Sequence, residues 1–187
     1  GPYIYAVQGS SPWKSLKDVA EAARQSPESF RMAWLGGAGL TDLTLIKFLD
    51  LAGVDINKIR RVPFPGSGPG MTALAGGHID FAGGSASAAT SYAASGHVRV
   101  LAVTGGTRIA AFPDVPSSKE AGYHVDLIGW YGLSGPPGLP RAIMDRLDAA
   151  MESIARNPEY AQDLERVGHV PWYQPSSQTW PYIQKEI

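Results

Sequence analysis

In RVPFPGSGPG, residues 61–70, a short strand is followed by a turn of glycine and proline and then by a helix, and this order is the strongest indication of the fold class. We predict the strand over residues 61–64 and the helix around residues 71–75. Apolar residues 30–35 precede a second such turn, and residues 79–82 precede a third. Each turn would present unpaired N–H groups at the positive end of a helix, which suits a carboxylate or a phosphate.

The other two turns are Gly36-Gly37-Ala38-Gly39 and Gly83-Gly84-Ser85-Ala86-Ser87. None of the three contains Lys or Arg, so the pattern favours holding an anion over transforming it. Glycines at such turns often serve only tight geometry and close helix packing, and for a single turn that interpretation is the better one. Three such turns in succession favour the binding of an anion.

Strands and helices alternate along the first hundred residues, which predicts an α/β fold with a parallel sheet covered on both faces. Two further strands are expected over residues 3–7 and 98–104. Ser15 and Asp18 form a capping-box pattern that opens a helix. Thr41 or Asp42 is expected to cap the helix that follows the first turn, and in that case Asp42 would not contact the ligand.

The pattern changes after Gly105. Ser117-Ser118-Lys119-Glu120 reads as a second capping box, and residues 125–133 and 170–173 as strands. Amphipathic helices are predicted after Pro140 and Asn157, and a terminal helix after Ser176. Few strands remain for these helices to cover.

The composition is that of an ordinary globular protein of 187 residues, with 44% hydrophobic and 18% charged residues. Its net charge of −1 gives no electrostatic basis for binding nucleic acid. Cysteine is absent, which excludes disulfides, thiolate metal sites and cysteine nucleophiles. No apolar run is as long as a membrane span, and the N-terminus has no signal-peptide pattern.

Several side chains beside the turns allow two interpretations. Phe64 could line the bottom of a ligand pocket or belong to the core. Ser85 and Ser87 could donate to a ligand or cap the next helix. Asp80 could accept from a ligand or tie down loop amides. Thr41 and the turn amides are the better donors.

The enzymatic templates do not fit. There is no G-x-S-x-G elbow, and residues 66–70 lack the lysine of a nucleotide phosphate loop. The four histidines have no metal-ligand spacing. We therefore predict no catalytic residue, no metal and no cofactor.

Two longer blocks support a family assignment. Residues 62–69, VPFPGSGP, followed by AGGHIDF at residues 75–81, resemble the "VPYKG…GGHVD" signature of the extracytoplasmic solute receptors of tripartite tricarboxylate transporters, the Bug or TctC-type family. Further blocks in the same order and spacing are VLAVT at residues 100–104, FPDVP at 112–116, EAGY at 120–123 and WYGLSGP at 130–136.

The resemblance implies a type II periplasmic-binding-protein-like α/β fold in which two lobes close on a small carboxylate. The family's N-terminal part and signal peptide have no counterpart in this chain. Residues 3–128 would form the second lobe, with a doubly wound sheet. Residues 129–187 would comprise the crossover strand and helices that return to the first lobe.

Carried over by position, the family's ligand-facing turns fall at residues 36–41, 64–67 and 83–87. This chain departs from the common pattern at Trp34-Leu35, Ala38, Asp42 and Pro65, which affects the identity of the ligand but not the fold. The residues expected to contact the ligand are Gly36, Gly37, Ala38, Gly39, Leu40, Thr41, Phe64, Gly66, Ser67, Asp80, Gly84, Ser85 and Ser87.

The implied function is that of a periplasmic receptor that gives a small carboxylate to the permease subunits of a membrane transporter. A receptor for a sensor kinase is the alternative, and an α/β enzyme acting on an anionic substrate is a weaker one. A dimer or a domain swap through the uncovered C-terminal helices is a further expectation.

Overall fold

The computed structural model describes residues 1–186. The strands are β1 (Tyr3–Gln8), β2 (Arg31–Trp34), β3 (Arg60–Pro63), β4 (Ala82–Ser85) and β5 (Val98–Val103). The helices are α1 (Leu16–Gln25), α2 (Leu40–Leu51), α3 (Ser67–Ala75), α4 (Ala86–Ala94), α5 (Arg141–Ala155), α6 (Pro158–Arg166) and α7 (Ser176–Glu186). A short 3-10 helix, Ile56–Lys58, precedes β3.

The strands follow the order β3-β2-β4-β1-β5. β2 and β3 are parallel, and a parallel bridge between Met32 and Phe81 joins β2 to the start of β4. β1 is antiparallel to both β4 and β5. The prediction of an all-parallel sheet was therefore wrong, since β1 runs against its neighbours. The carboxyl ends of the other four strands still meet at one edge, where β1 begins.

Helices cover both faces of the sheet, as predicted. On one face, α1 and α2 pack on an aromatic cluster in which the Tyr5 ring lies 5.4 Å from that of Phe48 and 6.0 Å from that of Phe81. On the other face, α3 and α4 pack through Met71 and Ala89. Alternation along β1 explains the two layers, because successive side chains of a strand point to opposite faces.

The capping box of Ser15 and Asp18 forms as predicted and opens α1. The second one does not open a helix. Ser117 and Glu120 exchange the expected hydrogen bonds, but only a single turn follows before Gly122 adopts a φ of +85°. A residue in the left-handed region ends a helical turn.

Two predicted strands are also wrong. Residues 125–133 form no ladder, and their only bridge within the described chain pairs Ile128 with Pro2. Residues 170–173 form no strand either. An extended segment becomes a strand only where another strand lies alongside it, and these two segments have no such neighbour among residues 1–186.

Up to residue 184, the three C-terminal helices α5, α6 and α7 contribute no residue to either core cluster. The apolar face of α5, formed by Ile143, Leu147, Met151 and Ile154, is between 37% and 45% exposed. Two concavities of about 710 and 800 Å³ lie between segment 128–139 and these helices. Among the described residues, no helix has both the length and the apolar character that a membrane crossing requires.

Candidate functional site

Three helices begin at the sheet edge where β2, β3 and β4 end, and we call these three strand ends and helix starts the site edge. α2 begins at Leu40, α3 at Ser67 and α4 at Ala86. The end of β4 lies close to the second start, because a Cβ on Gly84 would lie 3.1 Å from Cβ of Ser67. Gly84 pairs with Ile4, so the start of β1 is part of the same edge.

The first turn is shaped by two glycines and one acid. Gly36 and Gly37 have φ values of +110° and +90°, which residues with side chains rarely adopt. The carboxylate of Asp42 is buried and accepts hydrogen bonds from the amides of Leu35 at 3.0 Å and Gly37 at 2.6 Å. The indole of Trp34 packs against Gly37.

The predicted cap of α2 was wrong. The N-cap is Gly39, which has no side chain to cap with, and neither Thr41 nor Asp42 takes that role. Both residues lie inside the first turn of the helix, and Asp42 points back to the preceding loop. The expectation that Asp42 does not itself contact a ligand stays a prediction.

Several backbone donors of the first turn are free. Within the described residues, the amides of Gly36 and residues 38–41 donate no hydrogen bond to another protein group. Thr41 is only 7% exposed, and its hydroxyl makes no hydrogen bond to the described part of the chain. An acceptor placed at this turn would therefore find several unsatisfied donors, as at other helix N-termini.

The second turn divides its residues between core and edge. The amide of Phe64 donates to the carbonyl of Trp34 at 2.8 Å, so it is not available to a ligand. The ring of Phe64 packs against the second core cluster. Gly66 is the N-cap of α3, and the Ser67 hydroxyl has no hydrogen-bond partner among the described residues. Gly66 and Ser67 therefore lie at the site edge, whereas Phe64 packs against the core beneath it.

The third predicted turn is not a turn. Gly83, Gly84 and Ser85 belong to β4, and α4 follows directly with Ser85 as its N-cap. The glycines are explained by close packing, since a Cβ on Gly83 would lie 3.1 Å from Leu45. The hydroxyls of Ser85 and Ser87 lie 3.1 Å apart at the start of the helix. These serines remain at the site edge despite the correction.

Asp80 was predicted to contact the ligand, but it does not lie at the site edge. It precedes β4 instead of ending a strand, at the opposite end of the strands from the site edge. Its carboxylate forms an ion pair with Arg31 at 2.6 Å and accepts the Arg31 amide at 2.8 Å. The hydrogen bond with Asp80 raises the pKa of the Arg31 guanidinium. Asp80 therefore ties the start of β2 to the loop before β4.

Sequence reasoning missed Tyr3. Its hydroxyl and the side chain of Leu40 both lie within 3.5 Å of the position that a Cβ on Gly129 would take. Burial raises the pKa of Tyr3, with a smaller electrostatic contribution from neighbouring Tyr131, so the phenol stays protonated at neutral pH. No hydrogen bond of this hydroxyl to another described group is found. Only the antiparallel direction of β1 brings it to the site edge.

None of the predicted contact residues lines the two C-terminal concavities. Their walls are mainly apolar and include Trp130, Met151, Trp172 and Tyr182. Among the described residues, no group of three or more His, Cys, Asp or Glu is placed to hold a metal ion. The donor groups at the site edge are uncharged amides and hydroxyls, and Asp42 adds a carboxylate beside them.

The mixed sheet, covered on both faces and with three helix N-termini at one edge, places the chain in the periplasmic-binding-protein class of folds. A protein from R. palustris solved with adipate is similar over 100% of this chain and 62% of its own, with a TM-score of 0.90 and 24% identity. MatC from Rhodopseudomonas palustris, with bound malate, is similar over 99% and 62%, with a TM-score of 0.81 and 25% identity.

The model of the tripartite tricarboxylate transporter family receptor matches residues 1–187. The chain belongs to that family. A relative from Agrobacterium vitis, described as a UPF0065 protein, is 30% identical over 159 residues, which are 84% of this chain and 45% of the relative. BugT of Bordetella pertussis is 27% identical over 168 residues, 88% and 49% of the two chains. The chain thus spans about half the length of these relatives.

Proposed function

We propose that this chain contains one lobe of a periplasmic solute receptor, and that it binds a small carboxylate at the site edge and gives it to a membrane permease. The observation that carries the proposal is the convergence of three helix N-termini at one edge. Within the described part of the chain, the first amides of these helices and the hydroxyls of Thr41 and Ser67 have no protein partner. Charge-assisted hydrogen bonds from such donors are stronger than neutral ones. The malate bound by the related MatC supports a carboxylate as ligand.

The second half of the proposal concerns the partner lobe. We infer that residues 3–128 form one lobe and that residues 129–187 pack on another. Two features support this: the uncovered apolar face of α5 and the apolar concavities beside segment 128–139. Contiguous apolar surface of this kind marks an interaction site. Closing two lobes would expel water and strengthen each hydrogen bond to the ligand.

Titration calorimetry tests the proposal. A panel of small monocarboxylates and dicarboxylates, with adipate and malate among them, is titrated into this chain and into the complete product of its gene. We expect binding by the complete product and little or none by the chain alone, because one lobe leaves the ligand in water. Equal affinity for both would contradict the two-lobe account, and no carboxylate binding by the complete product would contradict the function.

A pair of hydroxyl variants locates the site. Ser67→Ala in the complete product should weaken carboxylate binding at least tenfold, since a hydrogen bond to a charged group contributes about 1.5–3 kcal/mol. Thr41→Val should weaken it by a smaller factor, because a hydrogen bond to an uncharged part of the ligand contributes about 0.5–1.5 kcal/mol. Thr72→Ala is the matched control, because the Thr72 hydroxyl is on α3 but bonds Gly68 and Tyr92. Unchanged affinity in both test variants would move the site away from this edge.

The delivery step is tested separately. A permease that co-purifies with the complete product supports transport. A sensor kinase in its place would favour a signalling receptor with the same binding site. Turnover of the bound carboxylate would instead indicate an enzyme.

A further inference from the structure

The first turn of the site edge differs from the other two helix starts by one buried charge. Asp42 is fully buried, and its carboxylate accepts hydrogen bonds from the amides of Leu35 and Gly37. No Lys or Arg nitrogen of the described side chains lies within ion-pair distance of it. The first turns of α3 and α4 contain no acidic residue.

This charge has two effects on an anion at the first turn. It occupies the amide of Gly37, which would otherwise be free to donate. It also adds a full negative charge to a helix end whose dipole provides only about half a positive charge. The starts of α3 and α4 keep their positive ends uncompensated. A carboxylate is therefore better accommodated at Ser67 and Ser85 than at the first turn.

One cation works against this effect. The guanidinium carbon of Arg61 lies 5.2 Å from the centre of the Trp34 ring, beside the first turn. Arg61 is exposed, so water and salt screen its charge, whereas the buried carboxylate of Asp42 is screened much less. The remaining side chains nearby are uncharged: Leu40, Thr41 and Tyr3.

We propose that Asp42 excludes a second negative charge from the first turn, so that the ligand is a monocarboxylate whose other end is uncharged or cationic. The inference rests on the function proposed above and narrows its ligand class. The carboxylate lies at the starts of α3 and α4. The other end of the ligand faces Leu40, Thr41 and Tyr3.

Matched ligands test the inference by calorimetry on the complete gene product. Each dicarboxylate from succinate to suberate is compared with its monoamide, which has nearly the same shape but one charge fewer, and with the ω-amino acid of equal length. At the length that fits best, we expect the monoamide to bind about tenfold tighter than the dicarboxylate, the effect of one poorly screened charge at a few ångströms. A dicarboxylate that binds as tightly as its monoamide, or more tightly, overturns the inference.

A variant assigns the effect to the residue. Asp42→Asn removes the charge and keeps one carbonyl acceptor for the turn amides, and it should raise the affinity for the dicarboxylate relative to that for the monoamide about tenfold. Asp50→Asn is the control, because it removes an exposed charge from the same helix. If Asp42→Asn does not fold, the wild-type ligand series still decides. Binding by no member of the series contradicts the proposed function itself, whereas a preference for the dicarboxylate contradicts only this inference.

Discussion

Replacing Thr104 by Val should loosen the junction between the two segments that connect the main sheet to the rest of the molecule. Thr104 is buried at the end of β5. Its hydroxyl accepts the amide of Tyr3 at 2.9 Å and donates to the carbonyl of Leu127 at 3.0 Å. One side chain therefore joins the start of β1, the end of β5 and the segment that leaves toward α5.

The expected cost follows from these two hydrogen bonds. Valine has nearly the shape of threonine, so packing is kept, but the Tyr3 amide and the Leu127 carbonyl both lose a partner. A buried group left unpaired costs about 1–3 kcal/mol. Because both groups are partly buried, we expect a loss of about 2 kcal/mol in the free energy of unfolding. For a chain of this size that corresponds to a fall of about 4–8 °C in Tm.

Urea unfolding measures this cost, with Thr104→Ser as the control. Serine keeps both hydrogen bonds and loses one methyl group, which costs about 1 kcal/mol. Hydrogen exchange separates the two variants more sharply. The amide of Tyr3 should exchange faster in Thr104→Val and stay protected in Thr104→Ser. Wild-type stability of the valine variant, or equal exchange of the Tyr3 amide in both variants, would contradict this role of the Thr104 hydroxyl.

Three further predictions concern other parts of the chain. Gly168→Ala should destabilise the protein by about 1–3 kcal/mol in thermal unfolding, because Gly168 has a φ of +82° and its Cβ would lie 2.4 Å from that of Ala86. The pKa of Glu120 is lowered, chiefly by the amide of Ser117. Glu120 therefore stabilises the fold above its ordinary pKa of 4.5, and this contribution is lost as the pH falls through the lower folded value. Glu120→Gln should flatten the acid limb of the stability profile, and an unchanged limb would contradict the assignment. Leu147→Lys should reduce self-association of the chain in light scattering, and a wild type that is already monomeric would remove that expectation.

The sequence predicted the helices better than the direction of the strands. Helix starts have local signatures, and those at Ser15, Asn157 and Ser176 formed where expected. The direction of β1 has no local signature, because side chains alternate in the same way in parallel and antiparallel strands. Tyr3 was missed for this reason, since only the antiparallel direction brings the first residue of β1 to the site edge.

Glycine was informative at the site for two different physical reasons that the sequence alone does not separate. At Gly36 and Gly37 the backbone needs positive φ. At Gly83 and Gly84 the backbone is extended, and the missing side chain instead lets Leu45 and Ser67 approach. Both causes put glycine beside a helix start. The predicted glycines thus lie at the site edge even though the third predicted turn does not exist.

Asp42 shows why an acidic residue near a helix start does not have one structural meaning. Asp18 lies three residues after its N-cap, Ser15. The Asp18 carboxylate accepts the Ser15 amide and the Ser15 hydroxyl accepts the Asp18 amide, which completes the capping box. Asp42 also lies three residues after an N-cap, but that residue is Gly39, which offers no hydroxyl in exchange. The glycines before it turn the chain so that the amides of Leu35 and Gly37 reach the carboxylate instead. The same acid that stabilises the loop therefore places a negative charge at the edge where we propose that a carboxylate binds, and under that proposal the charge of the ligand is distributed to suit it.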